Sequence, residues 1–235
     1  MDKKKLLIIL AAVFVVVVLA VMLVFALTGN DSGNGDETFD LTGTWKVASY
    51  TQAGAVTLPD REYFVFSDNT SKAYKEGQAE PYATSSFTLT PGTYPSWDLK
   101  LPDISRNYSV TVVTDNYIRL YESKTVYMDL IRYANEDRSD LSYTQDVVAG
   151  NWNVAYRNTA ETIVDEKLTF EDGTLHDYRK GAEKPVASVP YYWNEEGHIC
   201  VDALGAQMSC YPYSEDILFF VEVGTGYIWE IHRAK

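Results

Sequence analysis

Two stretches of this 235-residue sequence decide its architecture: EYFVFSDNTSKAYKEGQAEPYA at residues 62–83 and EKLTFEDGTLHDYRKGAEKPVA at residues 166–187. With a constant offset of 104 they are identical at eight of 22 positions without a gap, which is well above chance. Upstream, GTWKVASY at residues 43–50 matches GNWNVAYR at residues 150–157. An internal repeat on this scale predicts two tandem copies of one small domain.

The repeat also sets the domain boundaries. We expect the first domain at residues 41–134 and the second at residues 148–235. The segment between them, residues 135–147, is polar and rich in turn-forming residues, as is typical of a linker.

Each copy is rich in the residues that favour β-strands and is punctuated by Gly, Asp, Asn and Pro. In the second copy the sequence EDGT at 171–174 predicts a two-residue hairpin turn with positive φ, and the first copy has Asn69 in place of Gly173, which tolerates the same conformation. The strands of the second copy are expected at residues 151–157, 167–171, 175–179, 188–194, 198–203, 207–213, 217–223 and 227–233. Eight consecutive short strands predict an all-β fold with an up-and-down eight-stranded barrel in each copy, because closure removes exposed edges.

Three features recur in both copies: a first strand with Gly-x-Trp (Gly43 to Trp45 and Gly150 to Trp152), a Phe-x-Asp-x-Thr hairpin, and a last strand that ends in Arg. This pattern resembles the bacterial lipocalin-like domains of the calycin group, and the resemblance covers both repeats. It implies that Trp45 and Trp152 lie across the closed end of a barrel and pack against a late arginine. That role is structural, not catalytic.

The identity of the late arginine depends on the register of the last strand. An offset of 100 aligns Arg132 with His232, whereas an offset of 101 aligns Arg132 with Arg233 and Asp129 with Glu230. A slip of one residue exchanges the two faces of a strand. Only the second offset aligns apolar residues with apolar residues and acidic residues with acidic residues in the two copies. We therefore predict two barrel-closing pairs, Trp45–Arg132 and Trp152–Arg233, each a cation–π contact of about 1 kcal/mol.

The N-terminal segment predicts a membrane anchor. The first five residues, MDKKK, are followed by 22 apolar residues at 6–27, which as a helix span about 33 Å, and then by a polar, flexible linker at 28–40. Lysines before the helix predict a cytoplasmic tail at residues 1–5, and thus a single-pass cell-membrane protein with extracellular C-terminal domains. A cleaved signal peptide is the alternative to this signal-anchor, and both would export the rest of the chain.

Charge and composition exclude several function classes. The net charge is −13, and residues 1–27 hold three Lys and one Asp, so the remainder carries −15, which argues against a nucleic-acid partner. Two Cys and three His are too few for a typical zinc site, and the acidic turns lack the spacing of a calcium loop, so no metal site is expected. No catalytic or nucleotide-binding motif occurs, so we expect no catalytic residue, no enzyme activity and no cofactor.

Cys200 and Cys210 flank a predicted hairpin loop at residues 204–207. If the two residues face each other across the hairpin, a disulfide is expected in an exported protein. The alternative is a pair of buried thiols on one face of the sheet.

Aromatic residues suggest where a ligand would bind. Tyr191, Trp193, Tyr211 and Phe219 either pack the core or line a ligand cavity, and the sequence leaves both interpretations open. The expected function is binding of a small apolar or amphipathic molecule, or of a cell-surface protein. The alternative is a structural or protein-interaction module of the cell envelope whose barrels are filled with side chains.

Overall fold

The computed structural model describes residues 39–58, 62–75, 77–92, 96–133, 145–158, 165–195 and 198–235. The predicted cytoplasmic tail, the predicted transmembrane helix at 6–27 and most of both linkers lie outside these residues. Within the described ranges, no helix combines the length and the apolar character needed to cross a membrane.

The first barrel is an antiparallel sheet that runs in the order β5-β4-β3-β1-β10-β9-β8-β7-β6, with β2 added to β1. Its strands are β1 Gly43–Gln52, β2 Ala55–Thr57, β3 Glu62–Ser67, β4 Thr70–Lys75, β5 Ala83–Ser86, β6 Thr88–Pro91, β7 Ser96–Leu101, β8 Arg106–Thr114, β9 Tyr117–Ser123 and β10 Val126–Arg132. A 3-10 turn, Pro102–Ile104, joins β7 to β8. Because β5 and β6 are separated by Phe87 alone, one bent strand connects the two edges and nearly closes the barrel.

The second barrel follows a one-turn helix, α1 (Gln145–Val148), and has the order β14-β13-β12-β11-β19-β18-β17-β16-β15. Its strands are β11 Gly150–Arg157, β12 Lys167–Glu171, β13 Thr174–Tyr178, β14 Ala187–Pro190, β15 Tyr192–Trp193, β16 His198–Val201, β17 Ala206–Pro212, β18 Ile217–Glu222 and β19 Ile228–Arg233. A 3-10 turn, Asp202–Leu204, joins β16 to β17. The bent strand is repeated, since β14 and β15 are separated by Tyr191 alone.

The structure confirms the all-β prediction: two nearly closed antiparallel barrels that fit a lipocalin-like fold. Seven of the eight strands expected in the second barrel lie within two residues of their expected bounds, and the strand expected at residues 188–194 is divided at Tyr191 into β14 and β15. Both predicted hairpin turns have positive φ at their central residues, Asp68 and Asn69 in the first barrel and Asp172 and Gly173 in the second. Helix α1 is a single turn, too short to give a periodic sequence signal.

The outer faces of the two barrels pack against each other. Ala48, Tyr117 and Ile131 of the first barrel share a buried apolar cluster with residues of the second barrel, namely Phe219, Val221 and Ile228. The polar part of this interface centres on Glu230, which is 1% exposed. Residues Leu41–Lys235 form one compact unit that contains both barrels.

Hydrogen bonds across the interface satisfy the buried Glu230 carboxylate. Thr114 Oγ1 donates to it at 2.5 Å and Asn116 Nδ2 donates at 3.0 Å. On the first barrel, Asp129 is 2% exposed and accepts hydrogen bonds from Tyr117 Oη at 2.7 Å and from Arg119 Nε at 2.6 Å. Asp129 and Glu230 are the two acids that the sequence repeat aligns, so the same position is a buried, hydrogen-bonded carboxylate in both barrels.

Candidate binding cavity at the open end of the first barrel

The predicted Trp–Arg pair lies at one end of each barrel, which we call the closed end. The Arg132 guanidinium carbon lies 4.1 Å from the Trp45 ring, and that of Arg233 lies 4.2 Å from the Trp152 ring. In both barrels the tryptophan and the arginine are directly opposite in the strand register, as the offset of 101 predicts. Both tryptophan side chains are fully buried.

The glycine of each Gly-x-Trp motif lies so close to the arginine that a larger residue would clash with the guanidinium group. A Cβ atom on Gly43 would lie 2.6 Å from Arg132 Nη1, and one on Gly150 would lie 3.2 Å from Arg233 Nη1. Both glycines also have positive φ, which other residues rarely adopt. Each indole N–H donates to the backbone four residues upstream, from Trp45 to the Leu41 oxygen at 2.8 Å and from Trp152 to the Val148 oxygen at 2.7 Å.

The open end of the first barrel contains a cavity of about 410 Å³. Its apolar lining comes from Val47, Phe64, Ala73, Ala83, Ile104 and Met128. Its polar lining comes from Tyr50, Thr57, Glu62, Tyr82, Arg106 and Tyr108. This volume lies within the range of small-molecule sites, about 300–1,000 Å³.

The barrel strands explain how these side chains converge. On β1, Trp45 and Val47 point inward, and the register shift between Val47 and Ser49 lets Tyr50 point inward as well. On the neighbouring strand β3, Glu62 and Phe64 lie on the face that also carries the buried Phe66. Tyr50 and Glu62 therefore lie towards the end of the barrel away from Trp45.

Tyrosine hydroxyls and one carboxylate dominate the polar part of the cavity. Burial and the neighbouring charge of Glu62 raise the pKa of Tyr82 to about 12. Burial also raises the pKa of Tyr108, although the adjacent Arg106 opposes that shift. Both phenols are therefore neutral near pH 7 and remain hydrogen-bond donors.

The rim of the cavity is held by two polar contacts. Arg106 forms an ion pair with Glu122 on the adjacent strand. Asp103, in the 3-10 turn, accepts a hydrogen bond from the Ser86 backbone N–H at 2.7 Å and one from its hydroxyl at 2.8 Å. The hydrogen bond from the Ser86 backbone, and after it the one from the hydroxyl, lowers the pKa of Asp103. The same two bonds attach the 3-10 turn to the bent strand. Tyr82 and Ile104, which are 50% and 38% exposed, lie at the entrance.

The corresponding end of the second barrel carries a cluster of charged side chains. Glu166 is aligned with Glu62 by the sequence repeat, and its side chain is 1% exposed. It lies 3.5 Å from Arg157 and 3.6 Å from Arg179, and Arg179 also pairs with Asp177 at 2.9 Å. The Arg157 guanidinium lies 5.1 Å from the Trp229 ring. Burial, reinforced by the nearby Asp177, raises the pKa of Glu166 even though both arginines oppose the shift.

The predicted disulfide is wrong, and so is the placement of both thiols on one face. Cys200 and Cys210 are free and buried. The hairpin turns at Asp202–Leu204, so Cys200 lies opposite Gln207, three residues from Cys210. Cys210 is three positions along the strand from Gln207, and an odd offset reverses the face, so the two thiols point to opposite faces of the sheet. Cys210 belongs to the core of the second barrel, and Cys200 does not.

The four aromatic residues proposed as a cavity lining do not come together. Tyr191 and Trp193 pack into the core of the second barrel. Phe219 and Tyr211 lie on the outer face of the wall, where they pack in the cluster between the barrels. None of the four lines the cavity of the first barrel.

The sequence interpretation missed the cavity residues and the charged cluster. A signal was present, because Glu166 alternates with Leu168 and Phe170, which period two places on one inward face. The same alternation places Asp177 on the inward face of β13, together with Leu175. Charged side chains are rarely buried, so the sequence alone favours an exposed position for Glu166 and Asp177 until the strand register is known.

Two other features of the described residues do not form a binding site of this kind. A larger groove of about 650 Å³ runs over β7, β8 and β9, but consecutive residues such as Asp98, Leu99 and Lys100 line it, so it crosses the strands and is not the barrel interior. Among the described residues, no group of three or more His, Cys, Asp or Glu could hold a metal ion.

The two barrels define the class: an all-β protein with a lipocalin-like fold. No protein-family profile and no curated protein matches the chain. Among solved structures, the chain is similar to a protein of unknown function from the DUF3598 family of Nostoc punctiforme. That similarity covers 83% of this chain and 96% of the other, with 10% sequence identity and a TM-score of 0.29.

Proposed function

We propose that this protein is a non-enzymatic binding protein that holds a small amphipathic molecule in the cavity of the first barrel. The observation that carries the proposal is the cavity of about 410 Å³ at the open end. Apolar surface makes up the larger part of its walls, and polar side chains from six residues converge on it, a mixture that small-molecule sites also have.

The distribution of the lining favours an amphipathic ligand over a purely apolar one. Val47 and Ala73 are buried side chains deep in the lining, and they offer an apolar surface to a hydrocarbon chain. Glu62, Tyr82 and Arg106 carry polar atoms, and Tyr82 and Arg106 are at least half exposed. A ligand with an apolar body and a polar end matches both regions.

The proposal places this binding site outside the cytoplasm, behind a single membrane helix. It is supported by the 22 uncharged apolar residues at 6–27 and by the three lysines that precede them. A ligand from the membrane surface or from the surrounding medium would then reach the cavity.

A different role suits the second barrel. Arg157, Glu166 and Trp229 occupy the positions that correspond to Tyr50, Glu62 and Met128, and Arg157 contacts the other two. This favours the second candidate function, a structural module with a filled interior, for that barrel. In the combined proposal the second barrel supports the first through their shared interface.

Mass spectrometry of the purified full-length protein tests the ligand-binding proposal. The wild type should retain a co-purified small molecule, which organic extraction would release. Ala73→Phe places a ring in the cavity and should abolish retention. Lys72→Phe, on the exposed outer face of the same strand, is the matched control and should retain the molecule. Absence of a bound molecule from the wild type, or equal retention in Ala73→Phe, contradicts the proposal.

A further inference from the structure

We infer that the cavity of the first barrel selects ligands whose polar end is an organic cation, an ammonium or a guanidinium, which pairs with Glu62. This inference rests on the proposed function, since it names the chemical class of the ligand. It is carried by a comparison of equivalent positions in the two barrels.

The second barrel contains a cation of this kind as part of its own sequence. The Arg157 guanidinium lies 3.5 Å from the Glu166 carboxylate and 5.1 Å from the Trp229 ring. A buried carboxylate and an aromatic ring around one cation are a recognised arrangement for binding organic cations. Glu166 and Arg157 are both at least nine-tenths buried, so this arrangement lies inside the barrel.

The first barrel keeps the carboxylate but has no arginine at the position of Arg157, one of the two cationic neighbours of Glu166. Glu62 is identical to Glu166, whereas Tyr50 occupies the position of Arg157 and Met128 that of Trp229. All three of these side chains line the cavity. The three positions that surround the internal guanidinium in the second barrel therefore border a cavity in the first barrel, and the retained carboxylate is part of its wall.

The basic residues near Glu62 have other environments. Arg106 lines the cavity but is ion-paired with Glu122. Lys75 is the backbone partner of Glu62 on the next strand, but it is exposed and does not line the cavity. Glu62 is therefore the charged residue of the cavity lining with which a ligand of opposite charge would pair.

The aromatic part of the lining suits a cation as well. Tyr50, Phe64, Tyr82 and Tyr108 present aromatic rings, and the electron-rich face of a ring attracts ammonium and guanidinium groups. The negative charge of the chain adds a long-range attraction for cations.

The cost of burying Glu62 distinguishes a cationic ligand from a neutral one. A neutral chain that fills the cavity removes water from the carboxylate without replacing its interactions, which is unfavourable. A cationic end pairs with the carboxylate at the same position and offsets that cost. A carboxylate ligand adds repulsion to desolvation and should bind most weakly.

Three probes with the same six-carbon chain test this inference: hexylamine, which is protonated at pH 7.5, hexanol and hexanoate. Isothermal titration calorimetry is carried out with the full-length protein in a neutral detergent. We expect hexylammonium to bind about tenfold more tightly than hexanol, and hexanoate more weakly than both. Glu62→Gln should remove the preference for the amine while binding of hexanol remains. Glu80→Gln, at an exposed glutamate outside the cavity lining, should keep the preference.

The outcomes separate this inference from the proposed function. If hexanol and hexylammonium bind equally, or if hexanoate binds best, the cation inference is overturned and ligand binding in the cavity stands. If Glu62→Gln retains the full preference, the inference is also overturned, because the selectivity then has another source. If none of the three probes binds to the wild type, the proposed function itself fails.

Discussion

The closed ends of the two barrels are nearly identical, whereas their open ends differ in chemistry. Arginine lies over tryptophan at 4.1 Å in the first barrel and at 4.2 Å in the second. At the open ends, one aligned glutamate faces a cavity and the other lies between two guanidinium groups. Both barrels have the same strand order although their open ends differ. The residues of the closed end and of the strands therefore determine the fold, and residues at the open end can change without altering it.

Removing the tryptophan at either closed end should have the largest effect on stability. Trp45→Ala and Trp152→Ala should each lower the free energy of unfolding by about 3–5 kcal/mol, because each creates a cavity where a fully buried ring was packed. Urea denaturation followed by circular dichroism measures both losses. Trp97→Ala, at a partly exposed position, should cost less. Clearly unequal losses for Trp45 and Trp152 would show that the two closed ends are not energetically equivalent.

The aligned glutamates should differ in their contribution to stability. Glu166→Ala leaves two guanidinium groups without their buried carboxylate, and we expect a loss of about 3 kcal/mol. Glu62→Ala removes a partly exposed carboxylate and should cost less than about 1 kcal/mol. Urea denaturation of the two variants under identical conditions gives the comparison. Equal losses in the free energy of unfolding would contradict the expectation that only Glu166 is held in a buried ion pair.

A smaller effect should appear in the pH dependence of stability. Burial raises the pKa of Glu166 above its ordinary value of 4.5, so the folded state binds this proton more tightly than the unfolded state. The stability due to this group is therefore fully present below pH 4.5 and is lost as the pH rises through the raised pKa.

Glu166→Gln cannot titrate, so the stability of the wild type relative to this variant should fall as the pH rises above 4.5. Denaturation curves collected between pH 4 and pH 8, on the order of one unit apart, measure the trend. Glu171→Gln, at an exposed position on β12, controls for the loss of one carboxylate. A relative stability that rises with pH would contradict the expected direction.

The closed ends could be predicted from the sequence because several constraints agree there. The Gly-x-Trp motif marks the first strand, and the apolar and acidic alternation of the last strand selects one register. The alternative offset would have placed His232 where Arg233 contacts Trp152. The one-residue difference between the copies falls at the last hairpin, where β10 starts at Val126 with a register shift and β19 starts at Ile228.

The register of the cysteines and the face on which Phe219 is buried could not be predicted, because they depend on details that the sequence does not carry. The position of a turn determines the register of a hairpin, and a turn at Asp202–Leu204 moves Cys200 away from Cys210. Phe219 is fully buried, but on the face that meets the other barrel. An apolar residue buried between barrels has the same sequence signature as one buried inside a barrel.

The interface between the barrels includes equivalent strands, β9 and β10 from the first barrel and β18 and β19 from the second. In two separate chains, a contact of this kind would hold a dimer together and would be lost on dilution. Within one chain, the linker keeps the second half at a high effective concentration, so the pairing does not depend on the amount of protein. A symmetric dimer must also carry the same residues in both of its subunits. Fusion into one polypeptide removes that restriction, so a substitution at Tyr50 does not impose the same change at Arg157.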